Sequence, residues 1–380
     1  MRVLFSSAAG HGHVLPLLPL AQAFRDRGDA VAVATSPSYA RQVDAAGLKL
    51  LPTGLNEDEL NAGFAPIRAK SLTLPIPERR RFVFSQRFGR LEAPARIDEL
   101  REQTRAFRPD VLIHESGELA APVVAAQLGL PSIQHSFGRM VSWEAIEAAA
   151  IEVAPMWERA GVDLEAYAGM FRGPFVDICP PSLESERPPD GTIVFPRRAA
   201  EGNVSDHLGE RPLIYATLGT IVTSARSLDV LLAGLADLDA DVLLTTGWQN
   251  DPAELRRIPA NATVERFIPQ QDVLPRCSLI VTHAGSGSML GALAHGIPIL
   301  AVPHAADQFE NAAALAAAGA ARVVMPDDLT EDAVRDAAHA LLAEPSYRAA
   351  ARTIAAEIAA MPSAEEVAQT IADATNGDAS

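Results

Sequence analysis

Two histidines occupy a glycine-rich turn close behind the first apolar run, in Gly10-His11-Gly12-His13-Val14-Leu15-Pro16. An imidazole titrates near neutrality, so a histidine placed there can take a proton from a reacting hydroxyl. With two present, at least one is structural, as a loop residue or a helix cap. A histidine base works better when a carboxylate holds its other ring nitrogen and stabilises the imidazolium. Glu115, which follows the apolar run 111–114, is the candidate for that task. The competing reading of Glu115 is a carboxylate that complements a helix N-terminus.

A second set lies in the other half of the chain. His283-Ala284-Gly285-Ser286-Gly287-Ser288 separates a β-branched run from an apolar helical stretch. Small residues there let backbone N–H groups approach a phosphate at a helix N-terminus, and His283 adds a donor and, if protonated, a charge. The plainer alternative is a capped turn. Asp307-Gln308 opens the next helical stretch and suits paired sugar hydroxyls. Thr217-Leu218-Gly219-Thr220 supplies a second diphosphate contact, through Thr220.

Three other patterns carry less. The first turn lacks the third glycine of a dinucleotide fingerprint, and the second strand ends in Thr35-Ser36 with no carboxylate for a ribose. Asp237, Asp239 and Asp241 resemble a cation site, but they precede a strand, at the end opposite the expected ligand crevice, and read as a solvated turn. No metal is expected. Cys179 and Cys277 are the only cysteines, too few for a disulfide framework or a zinc site.

These residues need strands and helices to hold them. Residues 2–7, 30–35, 111–114 and 132–135 read as strands, and 14–27, 39–46, 97–107 and 118–128 as helices. The strand runs are continuous and β-branched, as strands buried on both faces are. The pattern restarts with strands at 213–217, 241–245, 279–282 and 299–302, and closes with helices at 346–360 and 364–374. Such alternation predicts an α/β fold of two Rossmann-like, doubly wound parallel-sheet domains facing a cleft. The polar stretch 184–211 reads as the connection and its flanking turns. The expected division is 1–197, a linker at 198–211, a second domain at 212–361, and a C-terminal helix at 362–380.

The chain of 380 residues carries 32 Lys and Arg against 48 Asp and Glu, a net charge of −16 that disfavours nucleic acid and anionic lipid as partners. The start of the chain reads as a strand, not a signal peptide, and no apolar run is long enough for a membrane span, so a cytoplasmic protein is expected. Of the 20 Phe, Trp and Tyr residues, 15 precede residue 198, which predicts an apolar pocket in the first domain. Phe64, Phe88, Phe137, Trp143 and Phe175 are its candidate lining.

The sequence resembles the family 1 glycosyltransferases of GT-B fold, in the antibiotic-tailoring branch of calicheamicin and oleandomycin type. Nearly the whole chain takes part. The motifs are Gly12-His13-Val14-Leu15-Pro16, then Phe175-Val176-Asp177-Ile178-Cys179-Pro180-Pro181-Ser182-Leu183, and the stretch 267–311 with its aromatic-x-Pro-Gln, His-x-Gly and Asp-Gln. The resemblance implies that His13, not His11, is the base, and that Glu115 stands where an aspartate partner is common. It implies that Phe267 stacks on the nucleobase, with Ile268 and Gln270 beside it. His283 and Gly285, Ser286, Gly287 and Ser288 then hold the diphosphate, and Asp307 and Gln308 the sugar. The resemblance alone implies that the C-terminal helix, 362–380, returns to the first domain. One position departs: the ribose-binding glutamate of the family falls at Gly291.

The expectation is therefore an inverting, metal-independent transfer of a sugar to a hydroxyl of an apolar natural product, such as a polyketide or enediyne. The nucleotide sugar is a co-substrate and no cofactor is expected. A deoxyribose lacks the 2′-hydroxyl that the missing carboxylate would bind, so the expected donor is a dTDP-deoxysugar. A homodimer is compatible with this reading. The rivals are a nucleotide-sugar epimerase on the same fold, a non-catalytic relative that assists a partner enzyme, and, more distantly, an NAD-dependent oxidoreductase.

Overall fold

The computed structural model describes residues 1–204, 211–219, 224–247 and 250–377. Its contacts divide the chain into two compact units. The first holds Met1–Cys179, Ser185–Arg197 and the segment from Pro362 onward; the second holds Pro180–Glu184 and Arg198–Met361.

Unit one contains β1 (Arg2–Ser6), β2 (Ala30–Thr35), β3 (Lys49–Pro52), β4 (Val111–Glu115), β5 (Ser132–His135), β6 (Phe175–Asp177) and β7 (Val194–Pro196). They form one parallel sheet in the order β3-β2-β1-β4-β5-β6-β7. Side chains alternate across it: Leu4, Ala32 and Leu112 join one apolar cluster, while Val3, Phe5, Val33, Val111 and Ile113 join the other. Both faces are covered, which is why these strands read as unbroken apolar runs.

Unit two contains β8 (Leu213–Thr217), β9 (Asp241–Thr245), β10 (Ala262–Glu265), β11 (Leu279–Thr282), β12 (Ile299–Ala301) and β13 (Ala321–Val323). Their order is β10-β9-β8-β11-β12-β13, again all parallel. In both sheets the first strand sits in the middle, where successive crossovers change direction. Loops leaving the carboxyl ends of strands at such a switch point form the ligand crevice of open α/β sheets. That point is β1/β4 in unit one and β8/β11 in unit two.

Some elements differ from the sequence reading. β3, β6, β7, β10 and β13 are short edge or near-edge strands, of three or four residues each, with mixed polarity. β7 lies inside the polar stretch read as a connection; its pairing with β6, not its composition, makes it a strand. The helix expected at 97–107 is longer. Helix Ile76–Phe84, a π-helical segment Ser85–Glu92 and helix Ala93–Phe107 follow one another without a gap. The helix expected from residue 14 begins earlier, as His11–Asp26, so His13 stands in its first turn.

Helix Ala364–Gly377 completes unit one. Its Val367, Ala368, Ile371 and Ala372 are buried in the cluster that holds Val14, Leu17 and Leu20 of helix His11–Asp26.

Candidate active site

Strands β1 and β4 are neighbours, with Ser6 opposite His114. The turn after β1 and the last residue of β4 are thereby brought together. His13 Nδ1 lies 3.1 Å from Glu115 Oε2. The Glu115 side chain is fully buried. Burial pushes its carboxyl upward, but His13 and two backbone donors outweigh burial and hold it below the usual carboxylate range. Those donors are the N–H of Ala8, at 3.0 Å, and of Gly117, at 2.5 Å. An ionised carboxylate only accepts, so Nδ1 carries the hydrogen, and Nε2 is the nitrogen that holds the lone pair whenever the ring is neutral. The carboxylate thus orients an imidazole rather than serving only a helix dipole.

Two phenylalanine rings pack against the imidazole. Phe137 lies 4.5 Å from it and Phe88 4.9 Å, centroid to centroid. His11 points elsewhere: its Nδ1 lies 3.4 Å from the Tyr39 hydroxyl and its ring packs edgewise on that residue. Burial lowers its pKa. Of the two histidines, His13 meets the carboxylate and His11 packs on Tyr39.

Of the aromatic lining read from sequence, Phe88 and Phe137 touch His13, and Phe64 lies 5.3 Å from the Arg87 guanidinium that also covers Phe88. Trp143 belongs to a separate cluster with Tyr167 and Phe171. Phe175 is a correction: it is a fully buried strand residue against Phe171, and it presents no surface to a ligand.

Four charged side chains behind this site escaped the sequence reading. Glu92 Oε2 accepts the Ala9 N–H at 3.0 Å, while Arg87 donates to the Ala9 carbonyl and pairs with Glu92 Oε1 at 2.7 Å. The Arg96 guanidinium is buried; it pairs with Glu118 and donates to the Ala34 carbonyl at 3.1 Å and Thr53 Oγ1 at 2.9 Å. Burial pushes the Glu118 carboxyl up, Arg96 pulls it down, and the Glu115 charge adds to the rise. In sequence all four look like ordinary polar positions on helices.

In unit two, β8 and β11 are neighbours, with Thr217 opposite Thr282. His283 follows β11 and is cradled by glycines. A methyl group at Gly219 would stand 2.8 Å from His283 Cε1, and one at Gly285 would overlap His283 Nε2. The two glycines therefore make room for an imidazole, where the sequence suggested room for a phosphate. Gly287 has open space around it. Burial pushes the His283 pKa down to about 4, against the pull of Asp307, so the ring is neutral near pH 7 and offers a donor without a charge.

Helix Ser286–Ala294 starts at Gly285 with no side-chain cap, which leaves its first N–H groups as donors for an anion. Asp307 Oδ2 accepts from Ser286 Oγ and Asn311 Nδ2, each at 2.9 Å. Gln308 Oε1 accepts the N–H of His304 at 2.8 Å and of Ala305 at 2.9 Å, so its amide NH₂ is the part left for a ligand. Gln270 Nε2 donates to Ser288 Oγ at 2.8 Å. Phe267 is half-exposed and Ile268 half-buried beside Gln270. Thr220 lies outside the described residues. His304, not singled out from sequence, has a buried Nε2 without a hydrogen-bond partner. The Asp239 and Asp241 carboxylates pair with Arg211 on an exposed turn, at 3.2 and 3.0 Å.

Two parallel Rossmann-like units, each with polar residues at its switch point, are the architecture of GT-B glycosyltransferases, and the similarity to solved structures of that class places the fold among them. Family models described as erythromycin biosynthesis protein CIII-like match residues 22–203 with their N-terminal domain and 229–374 with their C-terminal domain. The chain is 34% identical to L-demethylnoviosyl transferase of Streptomyces niveus, over 88% of its own length and 87% of that protein's. It is 33% identical to elloramycin glycosyltransferase of Streptomyces olivaceus, with 91% and 90% covered. The crystal structure of glycosyltransferase VinC in complex with dTDP superposes with a TM-score of 0.78 at 27% identity, over 99% of this chain and 100% of the other. The chain belongs to the erythromycin biosynthesis protein CIII-like family of antibiotic-tailoring glycosyltransferases.

Proposed function

We propose that this enzyme transfers a deoxysugar from a dTDP donor to a hydroxyl of an apolar natural product, with inversion and without a metal. The observation that carries the reading is the His13–Glu115 pair, 3.1 Å apart, with its imidazole packed against two phenylalanine rings. Unit one takes the acceptor, whose apolar body suits Phe88 and Phe137. As the acceptor oxygen bonds to the anomeric carbon, its proton passes to His13 Nε2. The carbon–oxygen bond to the diphosphate breaks on the opposite face, which inverts the centre. Glu115 stabilises the imidazolium that forms.

Unit two takes the donor. The leaving diphosphate meets the first N–H groups of helix Ser286–Ala294 and the neutral His283, so the developing charge has donors without a cation. Phe267 stacks on the base, and the Gln308 amide and Asp307 face the sugar. No resident cofactor is required, and the cytoplasm is the expected location. The dTDP reading rests on Gly291, where no carboxylate stands to bind a ribose 2′-hydroxyl, and on the similarity to VinC, which was crystallised with dTDP.

The test is turnover of dTDP-sugars with a panel of polyketide and aromatic alcohols, with the anomeric configuration of product read by NMR. Loss of activity in His13→Ala with unchanged dTDP binding supports the reading. A retained anomeric configuration, or full turnover by His13→Ala, overturns it.

A further inference from the structure

We infer that the π-helical segment Ser85–Glu92 is the positioning device for His13, acting through Arg87, Phe88 and Glu92. The inference rests on the reading of His13 as the base. Residues five apart on an α-helix point about 140° away from each other at 3.6 residues per turn. On a π-helix, bonded i to i+5, they share a face. Arg87 and Glu92 are such a pair, and they meet at 2.7 Å. The wider winding therefore makes the ion pair.

What the pair grips is Ala9, two residues ahead of the helix that begins at His11. Glu92 accepts the N–H of Ala9 at 3.0 Å, and Arg87 donates to the Ala9 carbonyl. One side-chain pair thus satisfies both backbone groups of a single residue, four positions before His13. The segment reaches the site a second way. Phe88, between the two, lies 4.9 Å from the His13 ring, and a methyl group at Gly117 would stand 3.2 Å from Phe88 Cδ1 and from both Glu115 oxygens. The same ring thus abuts the base and the seat of its carboxylate. Elsewhere the segment is anchored on helix Trp143–Ala160. Gln86 Nε2 donates to Glu152 Oε1 at 2.7 Å, and a methyl group at Gly89 would stand 3.3 Å from the Ala149 carbonyl oxygen.

The segment fixes which ring nitrogen of His13 faces Glu115. Full-length protein carrying ¹⁵N-labelled histidine reads this directly, with the His13 resonance assigned by its loss in His13→Ala. Wild type should show the Nδ1–H tautomer. In Glu92→Gln, Arg87→Met and the double variant, that preference should fall by about tenfold, the worth of one charge-assisted hydrogen bond. Exchange of the Ala9 amide should rise by a similar factor, and the two single variants should not add. Arg87→Lys should restore part of the preference. Gln86→Ala, which removes only the anchor to Glu152, is the control for general loosening and should leave the tautomer of His13 unchanged.

An unaltered tautomer in Glu92→Gln and in the double variant overturns the inference, as does an equal change in Gln86→Ala. Glu92→Gln is nearly isosteric, so it remains measurable if the arginine variant fails to fold. Full turnover in His13→Ala would instead strike the reading of His13 as base, and it leaves the tautomer result to stand or fall alone.

Discussion

Glu115 Oε2 accepts twice, from the ring nitrogen of His13 at 3.1 Å and from the backbone N–H of Gly117 at 2.5 Å. The strand end that carries the carboxylate also fixes its direction, so the imidazole has a rigid partner. His13→Ala should lower turnover by about 10²–10⁴-fold, the usual worth of a placed proton acceptor. His11→Ala should cost far less, because that ring packs on Tyr39 away from Glu115. Glu115→Gln should fall between them. Steady-state kinetics with dTDP affinity measured alongside checks the order; a reversal of the two histidines would break the assignment.

The glycines around His283 give a graded expectation. Gly219→Ala and Gly285→Ala should displace the imidazole and weaken dTDP binding by about tenfold or more, since a methyl group cannot fit beside the ring. Gly287→Ala meets nothing within 4 Å and should bind dTDP almost as wild type does. Calorimetry on the three variants separates a cradle for a histidine from a bare phosphate loop, for which Gly287 would matter most.

Gly291 tests the nucleotide. It lies in helix Ser286–Ala294, and a methyl group there would stand 3.3 Å from Leu274 Cδ1 and 3.9 Å from Gln270 Oε1, so a side chain needs only a small shift. Wild type should prefer dTDP to UDP in competition calorimetry. Gly291→Glu should move that preference towards UDP by roughly tenfold, as a charge-assisted bond to a ribose hydroxyl is gained. An initial preference for UDP would refute the proposal.

Buried histidines set the acid limit of stability. Burial pushes the pKa of His114 and of His283 down to about 4, and that of His135 well below its ordinary value. In the unfolded chain each takes a proton near pH 6.5. Folded stability is therefore full above that pH and is lost as pH falls from about 6.5 towards 4, by on the order of 1 kcal/mol per pH unit per histidine. Urea denaturation at pH 7, 5.5 and 4.5 should show this slope. His114→Gln should flatten it, and an unchanged slope would contradict the assignment.

Chelation gives the last expectation. Activity should persist in EDTA, because the proposed diphosphate donors are backbone N–H groups and His283. Loss of turnover restored by magnesium or manganese would redirect attention to the turn of Asp237, Asp239 and Asp241.

The central strands were legible because burial on both faces leaves a continuous β-branched run: β2, β5, β8, β9 and β11 begin and end where the sequence reading puts them. β7 was not, since a short edge strand owes its state to its neighbour and not to its own composition. His13 and Glu115 could be paired because each follows or ends a strand, and parallel topology brings such ends together. Nothing comparable announces Arg87 and Glu92. Their spacing has no meaning on an α-helix, and π winding is a tertiary outcome with no pattern of its own. The role of Gly219 was hidden for a related reason: the ring it accommodates arrives from β11, more than 60 residues along the chain.

The covering of helix His11–Asp26 by Val367, Ala368, Ile371 and Ala372 has a consequence for synthesis. The unit that carries the proposed base is begun first, yet its core lacks four of its apolar side chains until residue 372 has left the ribosome. Unit two, whose residues end at Met361, is complete in sequence before that moment. The half of the enzyme translated first is therefore the half whose core is last to be complete in sequence, and until then helix His11–Asp26 lacks its apolar cover.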